Sequence, residues 1–314
     1  MIAFLKLIRF PNLLIIALTQ YLIRWCVIYP ILRFNGLQLQ MSEIDFFLLS
    51  LSTVMIAAAG YTINDYFDTQ IDRVNKPGRI IVGTAIKRRI AIGAHLVMNF
   101  IAIAIGVYLA YKVNIPQLAF IHIISAAALW FYSTTFKKQL LIGNLMIALL
   151  AAIVPLIVAL YEIPLLTLTY GDSLKSENSL SFLFYFISGY SIFAFFTNMT
   201  REIIKDMEDY EGDKKYNCIT LPIKYGIATG KVAAIILITA IMSSLSYIQY
   251  THHINNDLIS FYYFLIALQL PFAFSIYITV AAKEKKHFSR ASMVIKITML
   301  TGILSMFIFY FTLK

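Results

Sequence analysis

Apolar residues dominate the chain in windows of around 20, broken by short polar stretches. Nine such windows fall near residues 11–32, 46–65, 89–111, 117–135, 140–161, 181–204, 228–249, 259–282 and 290–312. Each is long enough for a helix to cross the hydrocarbon core of a bilayer, about 30 Å thick. The expected fold class is therefore all-α, a polytopic membrane protein with about nine transmembrane helices. No linker or low-complexity segment divides residues 1–314, so a single integral-membrane domain is expected. The stretch from about 162 to 180, with Gly171, Asp172, Ser173, Lys175, Ser176, Glu177 and Asn178, is the most polar connection and reads as a mobile external loop.

The polar stretches alternate in sign. Lys76, Arg79 and Lys87 follow the second window, Lys137 and Lys138 the fourth, Lys205 and Lys214 the sixth, Lys283, Lys285 and Arg290 the eighth. The intervening connections hold Glu43, Asp45, Glu162 and Asp257 with few lysines. By the positive-inside rule the N-terminus and the basic loops lie in the cytosol and the C-terminus lies outside. Composition agrees with the membrane class: of 314 residues 60% are hydrophobic and only 13% charged. Mean hydropathy is +0.77. The net charge of +10 resides in loops between spans, so it reads as topology and not as a nucleic-acid surface. Lys6 and Arg9 precede an apolar run as in a signal peptide, but no small-residue cleavage pattern follows, so the run is read as a retained first helix. The two cysteines, Cys26 and Cys218, fall in a span and a cytosolic loop and form no disulfide framework.

Candidate chemistry concentrates at the cytosolic ends of two spans. Asn64, Asp68 and Asp72 recur at i, i+4 and i+8, which stacks three oxygen-bearing side chains on one helical face with a rise of about 6 Å per step. Carboxylates so close call for a cation, and Mg²⁺ takes carboxylate oxygens while leaving positions for a substrate's phosphates. A second cluster, Glu202, Asp206, Asp209 and Asp213, is spaced 4, 3 and 4, again one helical face, with Glu211 beside it. Either cluster alone is equally a solvated, capped helix end. Two on the same membrane face, each with basic flanks, point to facing halves around a shared metal–diphosphate pocket. An allylic diphosphate leaves as a delocalised cation, which aromatic faces stabilise, and 15% of the residues are aromatic.

The stretch Gly60-Tyr61-Thr62-Ile63-Asn64-Asp65-Tyr66-Phe67-Asp68, continuing through Ile71-Asp72, Asn75, Pro77, Arg79 and Gly83, resembles the NDxxDxxxD signature of the UbiA superfamily of intramembrane prenyltransferases. The stretch Arg201 to Asp213, then Thr220-Leu221-Pro222 and Tyr225-Gly226, is similar to that superfamily's second motif, most of all in its digeranylgeranylglyceryl phosphate synthases. The resemblance implies a bundle around a central cavity that opens sideways to lipid, under a cytosolic cap. It implies that Asn64, Asp68, Asp72, Asp206 and Asp209 bind Mg²⁺, that Asp65, Glu202 and Asp213 assist, and that Asp65, Asp72 and Asp213 are the catalytic acids. It makes Arg73, Lys76, Arg79 and Lys205 candidates for diphosphate contact. The family's loop carries Arg-Pro where this chain has Arg79-Ile80. Arg9 and Asn12 resemble a cavity-lining position, with an interface anchor and a helix start after Pro11 as the alternative. Tyr132, Ser133, Lys137 and Gly143-Asn144 resemble the fourth and fifth spans, and Lys137 either touches phosphate or is a plain positive-inside lysine.

The implied activity is Mg²⁺-dependent transfer of a polyprenyl group, geranylgeranyl by the subfamily, from its diphosphate to a lipid-like acceptor. The implied acceptor is the hydroxyl of geranylgeranylglyceryl phosphate, and the implied setting is a prokaryotic cell membrane. The rival readings are an aromatic acceptor of quinone biosynthesis and an ion-coupled transporter, which would place ionisable groups near the bilayer midplane. Neither a nucleic-acid nor a protein partner is indicated. Arg24, deep in the first span, either faces the cavity or a partner or snorkels outward with Trp25 and Tyr29. His95 and His122 lack metal-ligand spacing, and no Ser/His/Asp, CxxC or GxGxxG pattern occurs.

Overall fold

The computed structural model of the protein describes residues 2–75, 78, 80–174 and 179–312. Among them, nine helical segments are long and apolar enough to cross a membrane, and no strand forms. They are α1 (Phe10–Phe34), α2 (Glu43–Asn75), α3 (Arg88–Lys112), α4 (Pro116–Thr134), α5 (Ile142–Leu174), α6 (Ser179–Glu208), α7 (Ile227–Ile254), α8 (Leu258–Ala281) and α9 (Lys285–Thr312). Each contains one of the nine apolar windows apart from a residue or two at the edges.

Packing divides the helices into two groups, each with a central member. α2 touches α1, α3 and α4, while α6 touches α5, α7 and α9. α1 closes the ring by packing on both α5 and α9. The two central helices are the ones that carry the acid clusters. Close approach inside the first group depends on small residues: a Cβ on Gly60 of α2 would come within 2.7 Å of the Leu129 side chain on α4. In the second group, Ile203, Ile204 and Met207 of α6 pack on Ala234, Ile238 and Ile241 of α7.

At 33 residues, α2 is about 50 Å long, well beyond the hydrocarbon thickness. Its last turns therefore stand clear of the apolar zone, and they hold Asp65, Asp68 and Asp72. α5 has the same length, which corrects the expected loop. The helix runs on through 162–174, because Glu162 is 1% exposed and ion-paired within the protein instead of marking an exit to water. Lys175, Ser176, Glu177 and Asn178 lie outside the described residues.

Glu162 belongs to a buried polar knot at the end of the bundle opposite the acid clusters. The Arg24 guanidinium, 1% exposed, donates to Glu162 Oε2 at 3.3 Å, to Glu43 Oε1 at 2.8 Å and to the Met41 carbonyl at 2.6 Å, and lies over the Phe46 ring. Gln40 and Met41 backbone N–H groups complete the Glu162 carboxylate. Of the expectations for Arg24, facing a protein partner group is what the structure shows. It neither lines the cavity nor snorkels. α1 makes a π-helical turn over Ile23–Ile28, ahead of Pro30, at this level. Cys26 and Cys218 are both free and buried.

Candidate active site

α1, α2, α4, α5, α6 and α9 enclose a cavity of about 1200 Å³, whereas α3, α7 and α8 contribute nothing to its lining. Its deeper wall is apolar, with Ile16, Ile121, Ile157, Ile303 and Met306. Both acid clusters open into its other end.

On α2, Asn64, Asp68 and Asp72 line the cavity as the four-residue spacing requires. Asn64 Oδ1 is buried and meets no hydrogen-bond donor among the described residues. Asp68 is ion-paired with Lys137, which stands on the short turn Phe136–Lys138 between α4 and α5. Lys137 thus faces the cavity, not the solvent, and burial pushes its ammonium down to about 8. Asp65, one residue off the metal-type face, accepts from Arg9 at 2.9 Å. Arg9 reaches it because its own backbone is left-handed, φ 52°, between the short helix Ile2–Leu7 and α1. The same guanidinium lies 4.8 Å above the Tyr61 ring.

The second cluster is not one continuous helical face. α6 ends at Glu208, Asp209 takes φ −96° and ψ 11°, and a new helix runs from Tyr210 to Lys215. The break turns the chain across the cavity mouth, so Asp206, Asp209 and Asp213 all line it despite lying on two helices. Asp206 accepts from Asn144 Nδ2 at 2.9 Å. Glu202 is bound by Lys205 at 2.6 Å and Arg201 at 3.3 Å.

One contact fastens the two motifs to each other. Asn75, the last residue of α2, accepts the Gly212 backbone N–H at 3.0 Å through Oδ1. Any Cβ at position 212 would sit 2.3 Å from that amide, so only glycine permits the approach. Lys285 at the start of α9 donates to the Asn75 carbonyl at 2.7 Å and lies 3.7 Å from Asp209. Asn12 lines the cavity and donates to the Tyr61 hydroxyl at 3.4 Å.

Two sets of expected residues stand apart. Arg73 is exposed and absent from the cavity lining, since it follows Asp72 by 100° around α2. Lys76 and Arg79 lie outside the described residues. Conversely, Lys296 enters the site without having been singled out, while Asn144 had been named only for its resemblance to the fifth span and Lys285 only as a loop lysine. Lys296 carried a usable signal, an ionisable side chain well inside an apolar span.

Among the described residues, no three of His, Cys, Asp and Glu stand close enough to form a closed metal cluster. The donors face one another from α2 and from the α6 end instead. Their chemistry fits a hard divalent cation: carboxylate and amide oxygens, including the unengaged Asn64 Oδ1.

Comparison with known proteins agrees with this architecture. A digeranylgeranylglyceryl phosphate synthase from Methanosphaera stadtmanae is 32% identical over 258 residues, covering 82% of this chain and 84% of that protein. The Pyrococcus horikoshii synthase is 36% identical over 190 residues, 60% of this chain and 59% of that one. The fold is similar to a solved structure of digeranylgeranylglyceryl phosphate synthase, with a TM-score of 0.62, 23% identity and coverage of 99% and 98%. It is also similar to a UbiA homologue from Archaeoglobus fulgidus bound to DMAPP and Mg²⁺, with a TM-score of 0.57, 18% identity and coverage of 96% and 99%. The sequence pattern of the UbiA prenyltransferase family matches residues 37–310, and the chain belongs to that family.

Proposed function

We propose that this prenyltransferase moves a geranylgeranyl-type group from its diphosphate to the hydroxyl of geranylgeranylglyceryl phosphate, with Mg²⁺, and forms an ether lipid. The observation that carries the reading is the meeting of the two acid motifs, fastened by Asn75 and Gly212, over one end of a cavity whose deeper wall is mostly apolar. At about 1200 Å³ it exceeds the usual range of about 300–1000 Å³ for a single small ligand. A prenyl chain and a lipid acceptor fit side by side. The Methanosphaera and Pyrococcus relatives bear the name of this activity, and the Archaeoglobus homologue was seen with a prenyl diphosphate and Mg²⁺.

Asn64, Asp68, Asp72, Asp206 and Asp209 would hold the metal. When bound, Mg²⁺ supplies positive charge that stabilises the departing diphosphate. The chain's own residues do the rest. Lys137 and Lys205, both lining the cavity at this end, are placed to contact diphosphate oxygens. Glu202 holds Lys205 and Arg201, and Asp65 holds Arg9, so that these cations stay on the cavity wall. The allylic carbon–oxygen bond breaks with its electron pair going to the diphosphate. The acceptor oxygen then bonds that carbon and releases its proton to a cavity carboxylate, for which Asp213 is the candidate. The apolar wall excludes water that would otherwise capture the cation. The excess of lysine and arginine at the acidic end supports a reaction on the cytosolic side, and the Methanosphaera and Pyrococcus relatives support a prokaryotic cell membrane as its setting.

The test is Asp68→Ala and Asp209→Ala, each assayed for Mg²⁺-dependent diphosphate release from geranylgeranyl diphosphate. The expected loss is about a hundredfold or more, the scale of removing one transition-state charge stabiliser, with folding in detergent retained. Turnover near that of the unaltered protein in both variants would remove the metal-site assignment.

A further inference from the structure

Beneath the acid motifs lies a second set of charged groups, of the opposite sign. Arg201 precedes Asp206 by five residues on α6, and Tyr61, on which Arg9 stacks, precedes Asp68 by seven on α2. At 1.5 Å per residue Arg201 and Tyr61 start about 7–10 Å deeper in the bundle than Asp206 and Asp68, and Arg9 spans from Tyr61 up to Asp65. Lys296 joins this tier from α9, where it lines the same cavity. Its Nζ donates to Asn12 Oδ1 at 2.6 Å, a neutral partner, and it has no ion pair among the described residues. Arg201 and Arg9 line the same cavity.

Cations gathered this closely inside a membrane protein are costly unless an anion joins them. The protein's own carboxylates are too few. Among the described residues, the ion pairs of Arg9 and Arg201 are to Asp65 and Glu202, Glu202 is shared with Lys205, and Lys296 has none. The positive charge left over suits an anion with several acceptor oxygens, such as a phosphate monoester. Arg201 lines the cavity, and its Nε, buried and without a hydrogen-bond partner among the described residues, supplies a waiting donor. Asn12 fixes the lysine without cancelling its charge, since the amide also donates onward to the Tyr61 hydroxyl.

We propose that Arg201, Lys296 and Arg9 form a phosphate-monoester pocket that holds the acceptor's phosphate below the diphosphate site. The pocket makes Lys296 a specificity residue for phosphorylated over unphosphorylated acceptors. The assignment rests on the reading of the acceptor as a lipid phosphate. It separates the two anions by height: donor diphosphate among the metal-binding acids, acceptor phosphate in the cationic tier. The acceptor hydroxyl is thereby held between them, near the allylic carbon.

The experiment uses the full chain in lipid nanodiscs with Mg²⁺ and geranylgeranyl diphosphate. Two acceptors are compared, geranylgeranylglyceryl phosphate and its dephosphorylated alcohol. For Lys296→Gln the KM of the phosphorylated acceptor should rise about tenfold or more, the scale of one charge-assisted contact, while the KM values of the donor and of the alcohol move less than about twofold. Lys296→Arg should recover most of the loss. Equal effects on both acceptors, or a raised donor KM, would overturn the pocket.

Acceptor binding without donor, read as the rise in unfolding temperature, separates the pocket from the reading it rests on. Stabilisation of the unaltered protein, but not of Lys296→Gln, by the phosphorylated lipid upholds the pocket even if no ether is formed. Ether formation with equal KM and equal stabilisation in both proteins upholds the reaction and overturns the pocket.

Discussion

Arg24 and Lys296 are both cations within spans of this protein, and they are treated in opposite ways. Arg24 on α1 is 1% exposed, and two carboxylates, a carbonyl and an aromatic face surround it. Lys296 on α9 is half-buried, and its one polar partner among the described residues is the amide of Asn12. Both pay the desolvation that a membrane span imposes, yet only Arg24 is compensated by the fold. A cation matched by carboxylates ties elements together, here α1, α5 and the connection before α2. A cation left short of counter-charge, facing a cavity, is suited to an incoming anion. Residue type and span position alone do not tell the two apart, whereas the partner set does.

The contrast can be broken at several points. Glu162→Ala strands Arg24 in a buried site, and loss of one member of such a pair costs about 3–5 kcal/mol. The unfolding temperature in detergent should fall by more than for any other single change discussed, with residual activity in the surviving folded fraction. Gly212→Ala strikes the opposite end. Its Cβ would meet the Asn75 amide at 2.3 Å, and overpacking of this kind costs about 1–3 kcal/mol. Because the contact fastens the two acid motifs, turnover should drop by more than the stability loss explains, seen as a fall in kcat at saturating Mg²⁺. Glu43→Gln removes the other carboxylate on Arg24, but that side chain is 63% exposed, so the cost should be below about 1 kcal/mol. Lys296→Met should leave the unfolding temperature unchanged or raise it slightly, since it removes a half-buried charge with no counter-ion while keeping the volume. A large destabilisation there would place Lys296 with Arg24 as a structural cation.

Much of this molecule is legible in the sequence. Nine apolar windows became nine helices, because in a bilayer every backbone group must bond within its own segment and length alone nearly fixes the count. The first acid motif was readable to the residue, since i, i+4 and i+8 on an unbroken helix share a face. The second was readable only as a cluster. Spacing of 4, 3 and 4 fits a straight helix, but the chain bends at Asp209 so that Gly212 can dock on Asn75, a contact 137 residues distant in sequence. Glu162 misled for a similar reason: an acid after an apolar run marks a helix exit unless a buried arginine elsewhere in the chain claims it. Lys296 lay inside the ninth window from the start, yet its neighbours Arg9, Asn12 and Arg201 come from two other helices, which no local pattern brings together.

The central claim is the reaction itself. Its most direct test is mass analysis of products from the purified protein given geranylgeranyl diphosphate, geranylgeranylglyceryl phosphate and an aromatic acceptor such as 4-hydroxybenzoate together, with and without Mg²⁺. The account predicts digeranylgeranylglyceryl phosphate, formed only with the metal present. A prenylated aromatic product without any ether, or ether formed equally after removal of all divalent metal, would contradict it.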